Sequence, residues 1–208
     1  MRGLYAIVDV GTLDAAGIAV LPVVDALLRA APPMLQLRAK NISAERTHDM
    51  AFEIAARCAG TSTAFVVNDD PNLAARVGAQ YVHLGQGDAS PREVLLSHPE
   101  QKIGLSTHTE LELVASLAMP LSYVALGPVY GTQTKADAAP VVPWELVQRA
   151  RALCMGRPLV VIGGIDEERA RALVPHVDMV AVIGALVDAD MAEVAARARR
   201  LQALFASC

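Results

Sequence analysis

Three cationic side chains, Arg38, Lys40 and Lys135, draw attention because each stands where an apolar run gives way to polar residues. Arg38 and Lys40 close the run "MLQLRAK" two residues apart, a spacing that sends both to the same side of an extended chain. Lys135 lies in "LGPVYGTQTKADA", with Thr132 and Thr134 beside it, after Gly127 and Pro128 stop the apolar run Tyr123 to Leu126. Ser106, in "IGLSTHT", adds a third small hydroxyl. Guanidinium, ammonium and hydroxyl groups converging on one mouth suit a di- or triphosphate. The same residues read alternatively as one buried salt bridge and two solvated lysines.

Two acids follow the same logic. Asp69 ends "AFVVNDD" and Asp88 ends "YVHLGQGD". Carboxylates on adjacent strand ends repel unless a cation lies between them, and magnesium takes one or two carboxylates plus phosphate oxygens and waters. Aspartate also caps helices and turns. Asp70 should alternate away from Asp69 and cap the helix opening at "DPNLAA", with Pro71 in its first turn. In "VVIGGI", Gly163 and Gly164 let backbone N–H groups approach an anion, and Gly184 repeats the device one unit later. His108 is placed either for acid–base work or as a helix-entry residue. His48, His83, His98 and His176 have no evident partner.

Positioning these groups requires a particular scaffold. Eight short runs start at Leu4, Met34, Ala64, Tyr81, Ile103, Tyr123, Pro158 and Met179. They are near-continuously apolar, as strands buried on both faces are. Helical segments separate them, including "SAERTHDMAFEIAARCA" with Ser43 as N-cap, "WELVQRARALC", "DEERARALV" and "MAEVAARARRLQALF". Eight alternating units predict an α/β fold, a (β/α)8 TIM barrel formed as a single domain over residues 1–208. An open doubly wound sheet is the runner-up. Barrel enzymes carry their sites at the C-terminal rim, where these polar residues fall.

Composition narrows the function. The net charge of −4 argues against a general nucleic-acid or anionic-membrane surface. Hydrophobic residues make up 53% of the chain and aromatic ones only 4%, so the core is mostly aliphatic. Cys58, Cys154 and Cys208 form no CxxC pair and suit a reducing cytoplasm. The first strand begins at Leu4, leaving no signal peptide before it, and no apolar run reaches the ~20 residues that span a bilayer. The expectation is a cytoplasmic protein, with homo-oligomerisation left open.

The motifs "QLRAKN", "VNDDPNLAARVGAQYVHLGQGD", "IGLSTHT", "GPVYGTQTKADA" and "VVIGGI" occur in this order. From "LYAIVD" to "VAVIGAL" the chain resembles the thiamine phosphate synthase family. The resemblance implies a transferase that condenses 4-amino-5-hydroxymethyl-2-methylpyrimidine diphosphate with a thiazole phosphate bearing a carboxyl or hydroxyethyl side chain. It implies Gln36 near the pyrimidine, and Arg38, Lys40, Asn68, Ser106 and Lys135 on the diphosphate. It implies magnesium (Mg2+) on Asp69 and Asp88, and Thr132, Thr134 and the Gly164 backbone toward the thiazole phosphate. Four positions depart from the family pattern: Asp70 replaces Arg, Asn72 replaces Asp, Gln133 replaces Pro and Gly184 replaces Ser. Two alternatives remain, a thiazole tautomerase-like barrel and a non-catalytic protein binding thiamine intermediates.

Overall fold

The computed structural model describes residues 1–132 and 139–206. Eight strands appear where the apolar runs predict them. They are β1 Gly3–Asp9, β2 Met34–Arg38, β3 Ala64–Asn68, β4 Tyr81–Leu84, β5 Lys102–Thr107, β6 Tyr123–Leu126, β7 Leu159–Ile162 and β8 Met179–Val182. Each pairs in parallel with the next, and β8 pairs with β1, so the sheet closes as a (β/α)8 barrel. The open-sheet alternative is excluded by that closure.

The helices are α1 Val10–Ala15, α2 Val20–Leu28, α3 Ala44–Cys58, α4 Pro71–Val77, α5 Pro91–Ser97, α6 Glu110–Ser116, α7 Trp144–Leu153, α8 Glu167–Leu173 and α9 Met191–Ala203. Their starts follow from side-chain capping. Ser43 accepts from the Arg46 amide to open α3, and Asp70 accepts from the Leu73 amide to open α4, with Pro71 in the first turn. Ser90 and Glu93 form a reciprocal capping box on α5. None of the described helices is long and apolar enough to cross a membrane.

Strand alternation sorts the core into two parts. Leu4, Ala6, Val8, Leu35, Leu37, Phe65, Val67, Val82 and Leu84 face outward and pack under the helices. Tyr5, Ile7, Met34, Val66, Tyr81, Tyr123, Ala125, Val160, Met179 and Ala181 fill the barrel itself. Cys58 and Cys154 are buried, and burial pushes both thiols up to about 11, which leaves them protonated and unreactive. Cys208 lies outside the described residues.

Inside the barrel, β5 contributes Gly104 where other strands carry larger side chains. A Cβ there would lie 1.9 Å from Cζ of Tyr123, whose ring occupies the space. Gly104→Ala should therefore destabilise the fold by about 3 kcal/mol, at or above the usual range for overpacking. Equilibrium unfolding in urea is the check, and a loss under about 0.5 kcal/mol would show that the ring moves aside without cost.

Candidate active site at the barrel mouth

The alternation that points Tyr5 and Ile7 inward also points Asp9 inward at the end of β1. In the same way Gln36 and Arg38 follow Met34, Asn68 follows Val66, His83 follows Tyr81 and Ser106 follows Gly104. These side chains meet at the C-terminal end of the strands. Tyr5, Gln36, Arg38, Asn68, His83 and Ser106 line one small cavity of about 20 Å³ there. Lys40, Asn68 and Asp69 line a neighbouring cleft of about 420 Å³ on the outer side of the β2 and β3 ends. Asn68 is common to both.

Neither described rim cation stands alone. Register places Asp9 beside Arg38, and their side chains form an ion pair. Asp9 also caps α1, accepting from the Thr12 amide at 2.9 Å and the Thr12 hydroxyl at 2.7 Å. Burial by itself would raise the Asp9 carboxyl, but the donors from Thr12 and Arg38 outweigh it and hold the group below its ordinary value. Lys40 Nζ lies 3.1 Å from Asp69 Oδ2.

Asp69 is the opposite case. Burial raises its carboxyl, and the Asp88 carboxyl beside it raises it further, against the pull of Lys40. Its backbone adopts φ +64°, a left-handed conformation that non-glycine residues seldom take. The turn is held by the Asp69 amide on the His83 carbonyl at 2.8 Å. Asp88 closes its own turn by accepting from the Gly85 amide at 2.7 Å. Two acids this close, one of them partly desolvated, suit a shared cation. Among the described residues no cluster of three or more His, Cys, Asp or Glu is assembled, so a cation here would complete its shell from substrate oxygens and water.

Below the rim runs a set of contacts absent from the sequence reading. Gln36 Nε2 donates to the Tyr5 hydroxyl at 2.6 Å, and the Tyr5 and Tyr123 hydroxyls are 2.9 Å apart. His83 Nδ1 lies 2.8 Å from the Tyr123 hydroxyl, and His83 Nε2 lies 2.8 Å from Ser106 Oγ. Two candidate substrate residues, Gln36 and Ser106, are thus joined through Tyr5, Tyr123 and His83, and His83, for which the sequence shows no evident partner, is bonded at both ring nitrogens. Strand alternation was the available signal, since positions 5, 83 and 123 share parity with inward neighbours.

The remaining candidates divide. Gly163 and Gly164 have φ +111° and +60°, and added Cβ atoms would strike Pro128 at 2.5 Å and the Gly131 carbonyl at 2.3 Å. They let the loop after β6 lie against the loop after β7, where the Tyr130 amide donates to the Gly163 carbonyl at 3.1 Å. This packing accounts for both glycines whether or not an anion binds. Thr132 is half-buried on that loop, while Thr134 and Lys135 lie outside the described residues. His108 donates from Nδ1 to the Gly127 carbonyl at 2.6 Å, and its amide meets Glu112 Oε2 at 2.6 Å. That is the helix-entry reading of His108.

Solved structures share this architecture. Thiamine phosphate pyrophosphorylase from Pyrococcus furiosus superposes with a TM-score of 0.85 at 24% identity, covering 99% of this chain and 96% of that one. The 3-hexulose-6-phosphate synthase of Salmonella typhimurium gives 0.73 at 16% identity, covering 100% and 99%. Tryptophan synthase of Mycobacterium tuberculosis gives 0.70 at 16% identity, covering 98% and 92%. Likenesses at these identities speak to the barrel alone. The family assignment comes from the sequence, whose residues 4–186 match the model described as thiamine monophosphate synthase. The motifs that suggested this family lie within that span and supply the polar ends of the barrel strands, and the chain belongs to the thiamine monophosphate synthase family.

Proposed function

We propose that this chain, a transferase by its family, joins 4-amino-5-hydroxymethyl-2-methylpyrimidine diphosphate to a thiazole phosphate and releases pyrophosphate. The observation that carries the reading is the charge pattern at the rim. Arg38 and Lys40, each steadied by an aspartate, stand around Asn68, with Asp88 set against Asp69. The reaction needs a place for a diphosphate and for charge that grows as it leaves.

Each residue then has a role. Arg38, Lys40, Asn68 and Ser106 bind the diphosphate, joined by Lys135, and Gln36 orients the pyrimidine. Thr132, Thr134 and the Gly164 backbone face the thiazole phosphate. Asp69 and Asp88 would hold magnesium, which supplies positive charge to the leaving group when bound. The bond between the exocyclic methylene and the diphosphate oxygen breaks, and the oxygen keeps the electron pair. The electron-rich aminopyrimidine bears the positive charge left on the methylene. The thiazole nitrogen lone pair then forms the new carbon–nitrogen bond. No protein nucleophile is required, and positioning with electrostatics does the work.

The tautomerase alternative would use a histidine to move a proton. His108 donates its Nδ1–H to the Gly127 carbonyl and keeps Nε2 as an acceptor, so the preference for the synthase rests on Gln36, Asp88 and the threonine–lysine loop rather than on this histidine. The reading takes the protein to be cytoplasmic, acting on small molecules rather than on nucleic acid or membrane. The family match underlies this, together with the mild net charge of −4.

Purified protein given both substrates should form thiamine phosphate and pyrophosphate only with magnesium present. Turnover that persists after chelation, or binding of both substrates without product, would remove this reading. Asp88→Ala should abolish the magnesium-dependent product while the far-ultraviolet circular dichroism stays unchanged. Asp69→Asn should raise the metal-free Tm, because burial and Asp88 together outweigh the Lys40 ion pair that the change also removes. It removes repulsion with Asp88, and asparagine tolerates φ +64° well. The same variant should lose the stabilisation that magnesium gives the native protein. A lowered Tm, or an undiminished magnesium effect, would place the metal elsewhere.

A further inference from the structure

The contacts from Gln36 to Ser106 have a direction as well as a length. A primary amide nitrogen has hydrogens to give and no lone pair to offer, so Gln36 Nε2 donates and the Tyr5 oxygen accepts. Tyr5 carries one hydroxyl hydrogen, and its other contact is Tyr123, which must receive it. Tyr123 is then left to give its own hydrogen to His83 Nδ1. An imidazole accepting at Nδ1 carries its proton on Nε2, and that N–H faces Ser106 Oγ. Ser106 therefore accepts from the interior and keeps its own hydrogen for another partner.

Burial makes this direction costly to break. Tyr5 is 1% exposed, Tyr123 0% and Gln36 2%. A fault in the sequence of donors would set two hydroxyl hydrogens, or two bare lone pairs, against each other where water cannot intervene. Burial also raises both phenols, so they remain neutral and each keeps its single hydrogen. The imidazole lies within 16° of the Tyr123 ring plane, so its Nδ1 lone pair meets the hydroxyl in plane, and bonds at both ring nitrogens limit its freedom to turn.

We infer that Tyr5, Tyr123 and His83 are positioning residues that carry the orientation of the Gln36 amide across the barrel. They hold a hydrogen-bond acceptor, Gln36 Oε1, at one end of the site and a hydroxyl donor, Ser106, at the other. On the proposed function, the acceptor end matches a ring bearing an amino group and mismatches one bearing a carbonyl at the same place. The donor end matches an anionic oxygen. Turning the amide over reverses every link, and His83 then carries its proton on Nδ1. One tautomer thus reports the polarity of the whole chain.

The experiment is long-range proton–nitrogen correlation NMR on the ¹⁵N-labelled full chain without substrate, with His83 assigned among the five histidines by His83→Gln. The native protein should show neutral His83 with its proton on Nε2. Gln36→Met removes the donor that sets the direction and should give a mixture of tautomers or the Nδ1–H form. Tyr5→Phe should do the same and serves if the first variant does not fold. Ser106→Ala should leave the Nε2–H form in place, because Tyr123 still donates to Nδ1. Native His83 protonated on Nδ1, or an unchanged tautomer in both Gln36→Met and Tyr5→Phe, would overturn the inference. The spectrum needs no turnover, so absence of synthase activity would count against the proposed reaction and leave the polarity result standing.

Discussion

Every second side chain of a closed barrel strand points into a space that water barely enters. A polar atom sent there must find its partner among the other strands. Tyr5 from β1 and Tyr123 from β6 meet this demand by bonding to each other, to Gln36 of β2 and to His83 of β4. Gly104 on β5 makes the arrangement sterically feasible by leaving its place to the Tyr123 ring. Away from the mouth cavity Met34, Val66 and Met179 pack without polar atoms. The interior is therefore graded, apolar at one end and hydrogen-bonded at the end where substrates would enter. Rigidity at the site follows from this, since moving one member leaves another unpaired.

Charge at the rim obeys the same economy. Asp9 closes β1 and Asp69 directly follows β3, with β2 between them, and their carboxyls shift in opposite directions. Asp9 is buried among donors, with two bonds from Thr12 and the Arg38 guanidinium. It is committed to holding Arg38 and the start of α1. Asp69 is partly buried against another acid in a left-handed conformation, with Lys40 alone among the described residues to offset the cost. Unfavourable backbone and unfavourable charge at one residue are what a ligand site looks like before the ligand arrives. The contrast sets Asp9, spent on Arg38 and α1, apart from Asp69, to which the proposed function gives the magnesium.

Much of this was legible in the chain. Near-continuous Val, Ile and Leu runs gave all eight strands, because burial on both faces leaves a strong compositional mark. Ser43 and Asp70 gave helix starts through side-chain chemistry that acts within three residues. Polar strand ends gave the mouth. What stayed hidden depends on contacts across the barrel. His83 and Tyr123 are forty residues apart in sequence, and nothing local shows that a histidine inside "YVHLGQGD" is bonded on both ring nitrogens. Gly163 and Gly164 suit an anion cradle by sequence, and the close approach of Pro128 and Gly131 demands glycine there as well. That approach is tertiary and leaves no trace in "VVIGGI".

Three of the four departures from the family pattern can now be weighed by where they sit, while Gln133 lies outside the described residues. Asp70 follows Asp69 directly, but its carboxylate accepts from the Leu73 amide at 2.9 Å and is spent on the N-terminus of α4. Asn72 meets His98 Nε2 at 3.0 Å and ties α4 to the end of α5. Both therefore do structural work on the helical layer, and the negative charge of Asp70 sits where a helix N-terminus partly neutralises it. Gly184 is different. It opens a single 3-10 turn, Gly184–Leu186, after β8, is exposed, and offers no hydroxyl. If the thiazole phosphate lies at the loops after β7 and β8, its grip there falls to backbone N–H groups and to the threonines of the loop after β6. The diphosphate end, by contrast, keeps its full set of described side chains. On the proposed function, the missing hydroxyl at Gly184 would leave the thiazole phosphate held more loosely than the pyrimidine diphosphate.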